Sequence, residues 1–223
     1  MQVLALSGWA QYAASLGNVL PDDAHRVDYG DCTTVEAVFK RLSLTPEPDV
    51  AVGWSLGGQL LVRAVAAQAI RPKHLVLLGA PYQLVANAHF RGGRPKMATK
   101  ALRMAFTLNA DALLQKFQAD FLAEGDCHAE HIKNAAPHFL APAACNEWLF
   151  WLDQLIEFSC KGLDFSAFPR TDIIHGKQDA VIPFANAERF AECIPHAVLH
   201  ALPDCGHAPH WHNANFVKTV IVA

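Results

Sequence analysis

Short apolar runs recur along the chain at residues 2–6, 25–29, 49–53, 74–79, 171–175 and 197–202, and most of them lead into a stretch with helical spacing. Parallel strands need a long crossover between them, usually a helix. The alternation therefore predicts an α/β fold: a mostly parallel sheet of about six strands flanked by helices on both faces. The helices are expected at 34–43, 56–68, 183–193 and 213–222. Between Tyr82 and Phe168 the alternation stops, and the segments 95–108, 111–122 and 145–158 read as helices with no strand among them. The expected organisation is a core of residues 1–81 and 169–223, with a helical cap, or lid, of residues 82–168 inserted after the fourth strand. A length of 223 residues with 52% hydrophobic content suits one structural domain overall.

The third apolar run ends in Gly53-Trp54-Ser55-Leu56-Gly57, a G-x-S-x-G pattern lying between a strand and a helix. This is the setting of a nucleophile elbow, a turn so sharp that the serine takes strained backbone angles and side chains beside it would collide with strand and helix. At the helix N-terminus, backbone N–H groups and the positive end of the helix dipole face any oxyanion formed next to Ser55.

A serine hydroxyl is a poor nucleophile until a base takes its proton, so an acid and then a histidine should follow it in the chain. "IIHGKQDAVIP" puts Asp179 in a loop after the fifth strand, and "LPDCGHAPHWH" puts His207 just past the sixth. Loops after separate strands of a parallel sheet share one rim, where Ser55, Asp179 and His207 can meet. Asp164 is the second candidate for the acid. Asp172 starts a strand, and Asp204 lies too near His207 in sequence to be its obvious partner. Leu56 follows the nucleophile and Trp9 follows the first strand in "LSGWAQY", which makes their N–H groups the expected oxyanion hole. His210 and His212 are expected near the entrance. Neither His207, His210 and His212 nor Cys127, His128 and His131 form an accepted ligand pattern with a clear fourth group, so no metal and no cofactor is expected.

The formal charge of -3 gives no overall basic field and points away from nucleic acid. Six scattered cysteines without a C-x-x-C suit reduced thiols and hence the cytoplasm. The start of the chain has no Lys or Arg before Arg26 and an apolar run of only Val3–Leu6, so it reads as a first strand, not an export signal. No stretch suggests membrane insertion.

"GWSLGG" with "SGW" upstream, "HGKQDAVIP" and "CGHAPH" resemble the α/β-hydrolase family over nearly the whole chain, and within it the carboxylesterases of biotin synthesis. Trp54 sharpens the likeness, since many relatives carry His before the serine. The resemblance implies an α/β-hydrolase fold, a triad of Ser55, Asp179 and His207, and an oxyanion hole of Trp9 and Leu56. It also implies an acyl-ester substrate, the methyl ester of pimeloyl-acyl carrier protein. Two departures stand out: Ser7-Gly8 replaces the family's His-Gly, and "VDYGDCTT" replaces a glycine-rich loop.

Residues 89–117 hold six basic side chains (Arg91, Arg94, Lys96, Lys100, Arg103, Lys116) against Asp111 alone, while the remaining 12 basic residues face 20 acidic ones. Lys96, Lys100 and Arg103 fall at i, i+4 and i+7 on one helix face, with Met97, Ala101, Met104 and Leu108 expected to pack inward. Arg94, Lys96, Lys100 and Arg103 are thus candidates for docking an acidic acyl carrier protein. Trp54, Phe117 and Phe121 are candidates for substrate contact, and Trp148 and Trp151 for the wall of an acyl channel. A hydrolase of small soluble esters or thioesters is the competing enzyme reading, with peptidase activity also open. A binding protein without catalysis fits an intact set of three poorly, and serine in place of aspartate at the elbow disfavours dehalogenase chemistry.

Overall fold

A computed structural model describes residues 1–123 and 146–223, with side chains described for 1–119 and 147–223. Six strands, β1 (Val3–Leu6), β2 (His25–Val27), β3 (Val50–Trp54), β4 (His74–Leu78), β5 (Arg170–Gly176) and β6 (Val198–Leu202), form one sheet in the order β2-β1-β3-β4-β5-β6. All five pairings are parallel, with Val52 opposite Val76 and Ile173 opposite Leu199. The helices are α1 (Val35–Ser43), α2 (Leu56–Ala66), α3 (Lys96–Leu108), α4 (Ala110–Ala123), α5 (Asn146–Glu157), α6 (Ala185–Cys193), α7 (Pro209–His212) and α8 (Ala214–Val222). Helices α3 to α5 follow β4 and precede β5. No helix among the described residues is long and apolar enough to cross a membrane.

The central strands are apolar throughout because both faces of the sheet are covered. Alternate residues divide cleanly between two cores. Leu4, Leu6, Ala51, Leu75, Leu77 and Ile173 pack with α1 and α2, whereas Val3, Ala5, Val50, Val52, Val76 and Ile174 pack with Trp211, Val217, Val220 and Ile221 of α7 and α8. A slip of one residue in any central strand would exchange its two faces. Thr34 starts α1 by accepting the Ala37 N–H at 3.1 Å, with Glu36 in the first turn and Lys40 and Arg41 in the last, each on the side the helix dipole favours.

Strand order reverses at β1, which has β2 on one side and β3 on the other. Loops leaving β1 and β3 therefore diverge at their carboxyl ends and open a crevice, the usual ligand position in such sheets. Ser7, Gly8 and Trp9 leave β1 there, and Ser55 leaves β3.

Candidate active site

Ser55 stands between β3 and α2 with φ 53° and ψ -123°, and its N–H donates to Leu78 O at 2.8 Å. Positive φ is costly for a serine and persists only where its surroundings impose it. Gly57 is part of that imposition. A Cβ on it would run into the backbone carbonyls of Ser7 and Leu6, so only glycine lets α2 start this close to β1.

His207 comes from the loop after β6 and is 1% exposed. Its Nδ1 lies 2.8 Å from Asp179 Oδ2. Since an ionised carboxylate can only accept, the proton sits on Nδ1 and leaves Nε2 as the basic nitrogen. Trp54 Nε1 donates to the His207 carbonyl at 2.8 Å, which ties the loop of the histidine to the residue before Ser55.

Asp179 is held on several sides. Its Oδ1 accepts the N–H groups of Val181 at 2.9 Å and Ile182 at 2.7 Å, and His175 Nε2 lies 3.1 Å from Oδ2. Burial alone would raise the carboxyl's pKa, but the charge of His207 and the hydrogen bonds from His175 and His207 outweigh it and hold Asp179 well below the usual carboxylate range. His175 Nε2 also lies 2.8 Å from Ile182 O, so it donates toward two acceptors and braces the acid loop. The sequence marks His175 only as a strand end; its bracing role needed the fold of the loop.

The other acids lie elsewhere. Asp164 is exposed and accepts the Ser166 N–H at 2.9 Å, and Asp204 is exposed too. Asp172 is buried beside His74 Nε2 (2.7 Å), His200 Nε2 (2.6 Å) and Arg170 Nε (3.2 Å), pairing β5 with β4 and β6.

One cavity is lined by Ser55 and His207 together with Gly8, Trp9, Gln11, Trp54, Phe117 and Arg94, and by Leu84, Leu102, Leu152, Leu155, Val181 and Ile182. Trp9 is fixed by a hydrogen bond from Nε1 to Trp148 O at 2.8 Å and by edge contacts with Phe106 and Phe117. Leu56 is fully buried as the first residue of α2. Ser7 braces this loop without the family's histidine. Its Oγ lies 2.5 Å from Ser15 Oγ, and its carbonyl accepts the Tyr29 hydroxyl at 3.1 Å, so the "VDYGDCTT" segment supplies the support.

Several expectations are corrected. Trp148 and Trp151 pack against Tyr29, and Trp151 Nε1 donates to Cys32 O at 3.1 Å; the cavity wall is formed by Leu152 and Leu155 of the same helix instead. His210 is fully buried against the Trp54 ring, with centroids 4.4 Å apart, and lies behind the site, not at its entrance. On α3, Met97, Met104 and Leu108 are 74%, 64% and 79% exposed and Ala101 is exposed too, while Thr99 and Phe106 pack inward and Leu102 reaches the cavity. The contact of Phe106 with Trp9 sets that rotation. Lys96 and Lys100 face solvent, and Arg103 is held in a two-pronged pair with Asp153 at 2.6 and 2.9 Å. Arg94 leaves the helix face altogether and lines the cavity, with Nη1 3.5 Å from Val181 O. The side chain of Phe121 and the residues Cys127, His128, His131 and Cys145 lie outside the described residues. Cys32, Cys160, Cys193 and Cys205 take part in no disulfide among the described residues.

Residues 5–219 match the model of the Alpha/beta hydrolase family. Over 181 residues the chain is 32% identical to the pimeloyl-[acyl-carrier protein] methyl ester esterase of Aromatoleum aromaticum, covering 75% of this chain and 71% of that protein. It is 23% identical to the protein of the same name from Chromobacterium violaceum, covering 78% and 69%. Among solved structures, an esterase from Exiguobacterium antarcticum shares the fold with a TM-score of 0.77 at 18% identity, covering 100% of this chain and 91% of that one.

Proposed function

The chain belongs to the alpha/beta hydrolase family, and from that membership we propose that it is a serine carboxylesterase whose substrate is the methyl ester of pimeloyl-acyl carrier protein. The observation that carries the reading is one cavity lined by a serine of positive φ and by a histidine whose Nδ1 is tied to a buried carboxylate. In this reading Ser55 Oγ attacks the ester carbonyl while His207 Nε2 takes its proton. The N–H groups of Leu56 and Trp9 receive the resulting oxyanion. Collapse of the intermediate breaks the bond to the methoxy oxygen, which takes the proton from His207 and departs as methanol, leaving an acyl group on Ser55. Water then repeats the attack, with His207 as base, and releases the free acid. Asp179 holds the tautomer and stabilises the imidazolium in both halves. Ser55, His207 and water account for every proton and electron pair, so the cycle calls for no cofactor.

The apolar wall from Leu84 to Ile182 suits a saturated acyl chain, and the names of the two curated relatives favour the pimeloyl ester. Helices α3 to α5 act as a lid over the site, and the exposed Lys96 and Lys100 meet an acidic carrier. Methanol release from the carrier-linked ester and from a free short-chain methyl ester tests the reading. The wild type should turn over the carrier-linked ester with the higher kcat/KM. Ser55→Ala should lose about four or more orders of magnitude on both. Undiminished turnover by that variant would sink the serine mechanism, and equal kcat/KM for both substrates would favour a small-ester hydrolase.

A further inference from the structure

The cavity contains one polar side chain that the ester cycle leaves unused. Gln11 lines it beside Gly8 and Trp9 and is 3% exposed, yet neither Oε1 nor Nε2 has a hydrogen-bond partner among the described residues. The backbone holds it there. Ala10 takes φ 55°, and the Gln11 N–H donates to Gly8 O at 3.2 Å, closing a tight turn on the glycine that rests against Ser55. Burying a carboxamide without partners is costly, and a leucine would fill a similar volume without that cost. Other orphaned groups lie elsewhere: His210 sits behind Trp54 and is not part of the cavity lining.

We infer that Gln11 is a hydrogen-bonding subsite for a further class of substrate beside the saturated ester proposed above: esters that carry, close to the scissile bond, a neutral group able both to donate and to accept, a hydroxyl or an amide. The carboxamide offers donors at Nε2 and an acceptor at Oε1. Ester oxygens and carboxylates only accept and leave Oε1 unpaired, while an ammonium only donates and leaves Nε2 unpaired. A hydroxyl or an amide satisfies both. A site able to bond such a group favours it over an analogue lacking it, because the site's own polar atoms are otherwise left bare.

The kinetic test rests on the hydrolase reading; a binding test does not. Two ester pairs differ only by hydroxyl against methyl: 2-hydroxyethyl butyrate with propyl butyrate, and ethyl 3-hydroxybutyrate with ethyl 3-methylbutyrate. The wild type should favour the hydroxylated member of at least one pair, and Gln11→Leu should cut that kcat/KM ratio about tenfold, the worth of one net hydrogen bond. The thermal midpoint should stay level or rise, whereas a glutamine with only a structural role would lower it and leave the ratio unchanged. By calorimetry, adding Gln11→Leu to Ser55→Ala should weaken binding of the hydroxylated ester about tenfold relative to its methyl partner. If the wild type hydrolyses none of the four esters, calorimetry alone decides on Gln11, while the hydrolase reading is judged on the carrier-linked ester. Ratios and relative affinities unchanged by the substitution would overturn the inference, and Gln11→Met, unbranched like glutamine, replaces the leucine variant if that one fails to fold.

Discussion

His207 meets Asp179 across the end of β4, with Nδ1 2.8 Å from Oδ2, and the crossing is possible because Gly79 lies beneath the pair. A Cβ on Gly79 would lie 3.3 Å from His207 Nδ1 and 3.5 Å from Asp179 Oδ2, and the residue takes φ 52°. Ser55 follows β3 and His207 follows β6, so the histidine has to reach over two intervening strands to line the serine's cavity. The bare backbone at the end of β4 leaves room for that reach.

Gly79→Ala should therefore lower kcat by displacing His207 while the chain still folds. The strained φ adds about 1 kcal/mol or more of destabilisation. Steady-state kinetics with a thermal melt separates the two effects: a loss of kcat of about tenfold or more with a small fall in midpoint is expected. An unchanged kcat would show that the site has slack at this crossing.

Asp179→Asn should reduce kcat by about four orders of magnitude, because an amide favours the wrong histidine tautomer and gives no charge to the imidazolium. Asp164→Asn should leave kcat within about twofold, since Asp164 is exposed and its hydrogen bonds among the described residues go to Ser166. Measuring both on one ester checks the assignment, and the reverse order of effects would move the acid to Asp164.

Burial pushes His210 well below its ordinary pKa, reinforced by the charges of His207 and His212, and both of its ring nitrogens lack partners among the described residues. The sign follows from proton counts. Below about pH 6.5 the unfolded chain protonates this histidine and the folded chain does not, so His210 contributes a loss of stability as pH falls, with a limiting slope of about 1.4 kcal/mol per pH unit. His210→Leu should raise stability at neutral pH by removing unpaired polar atoms from behind Trp54, and should flatten the acid limb by up to one proton. Denaturant unfolding from pH 7 down to pH 5 measures both, and an unchanged slope would show that His210 is charged in the fold.

The sheet was legible because its strands are short apolar runs at regular intervals, and Ser55, Asp179 and His207 could be singled out because each follows such a run beside a glycine. What the pattern could not supply was rotation and reach. On α3 the periodicity of Met97, Met104 and Leu108 resembles an inward face, yet the packing of Phe106 on Trp9 turns that stripe to solvent. Flexible methionines and a terminal leucine lose that contest to an aromatic ring with a fixed partner. Arg94 reads as one more surface charge because nothing local says that its loop folds back over the cavity. His175 and Gln11 carry no mark of their roles in the sequence for the same reason: burial, hydrogen bonds and missing partners are properties of the folded chain.

The rotation of α3 also reshapes the carrier-docking test. Lys96 and Lys100 are exposed beside Met97 and Met104, a mixed basic and apolar surface that suits an acidic partner with an apolar centre. Arg103 is a poor probe, because reversing it would set a second carboxylate against Asp153 and part α3 from α5. Arg94 is another, since it lines the cavity and would alter turnover of every ester. The discriminating variant is Lys96→Glu with Lys100→Glu. If these lysines meet the carrier, KM for the carrier-linked ester should rise about tenfold while kcat/KM for a small free ester stays put, because a contact remote from the reacting carbonyl acts equally in ground and transition states. Raising salt should reproduce the KM defect in the wild type and add little to the variant, as exposed charges are screened over about 8 Å at physiological ionic strength. Measuring both substrates at low and high salt gives the decision: matching responses would leave the lysines as solvated surface and remove the charge argument for a carrier.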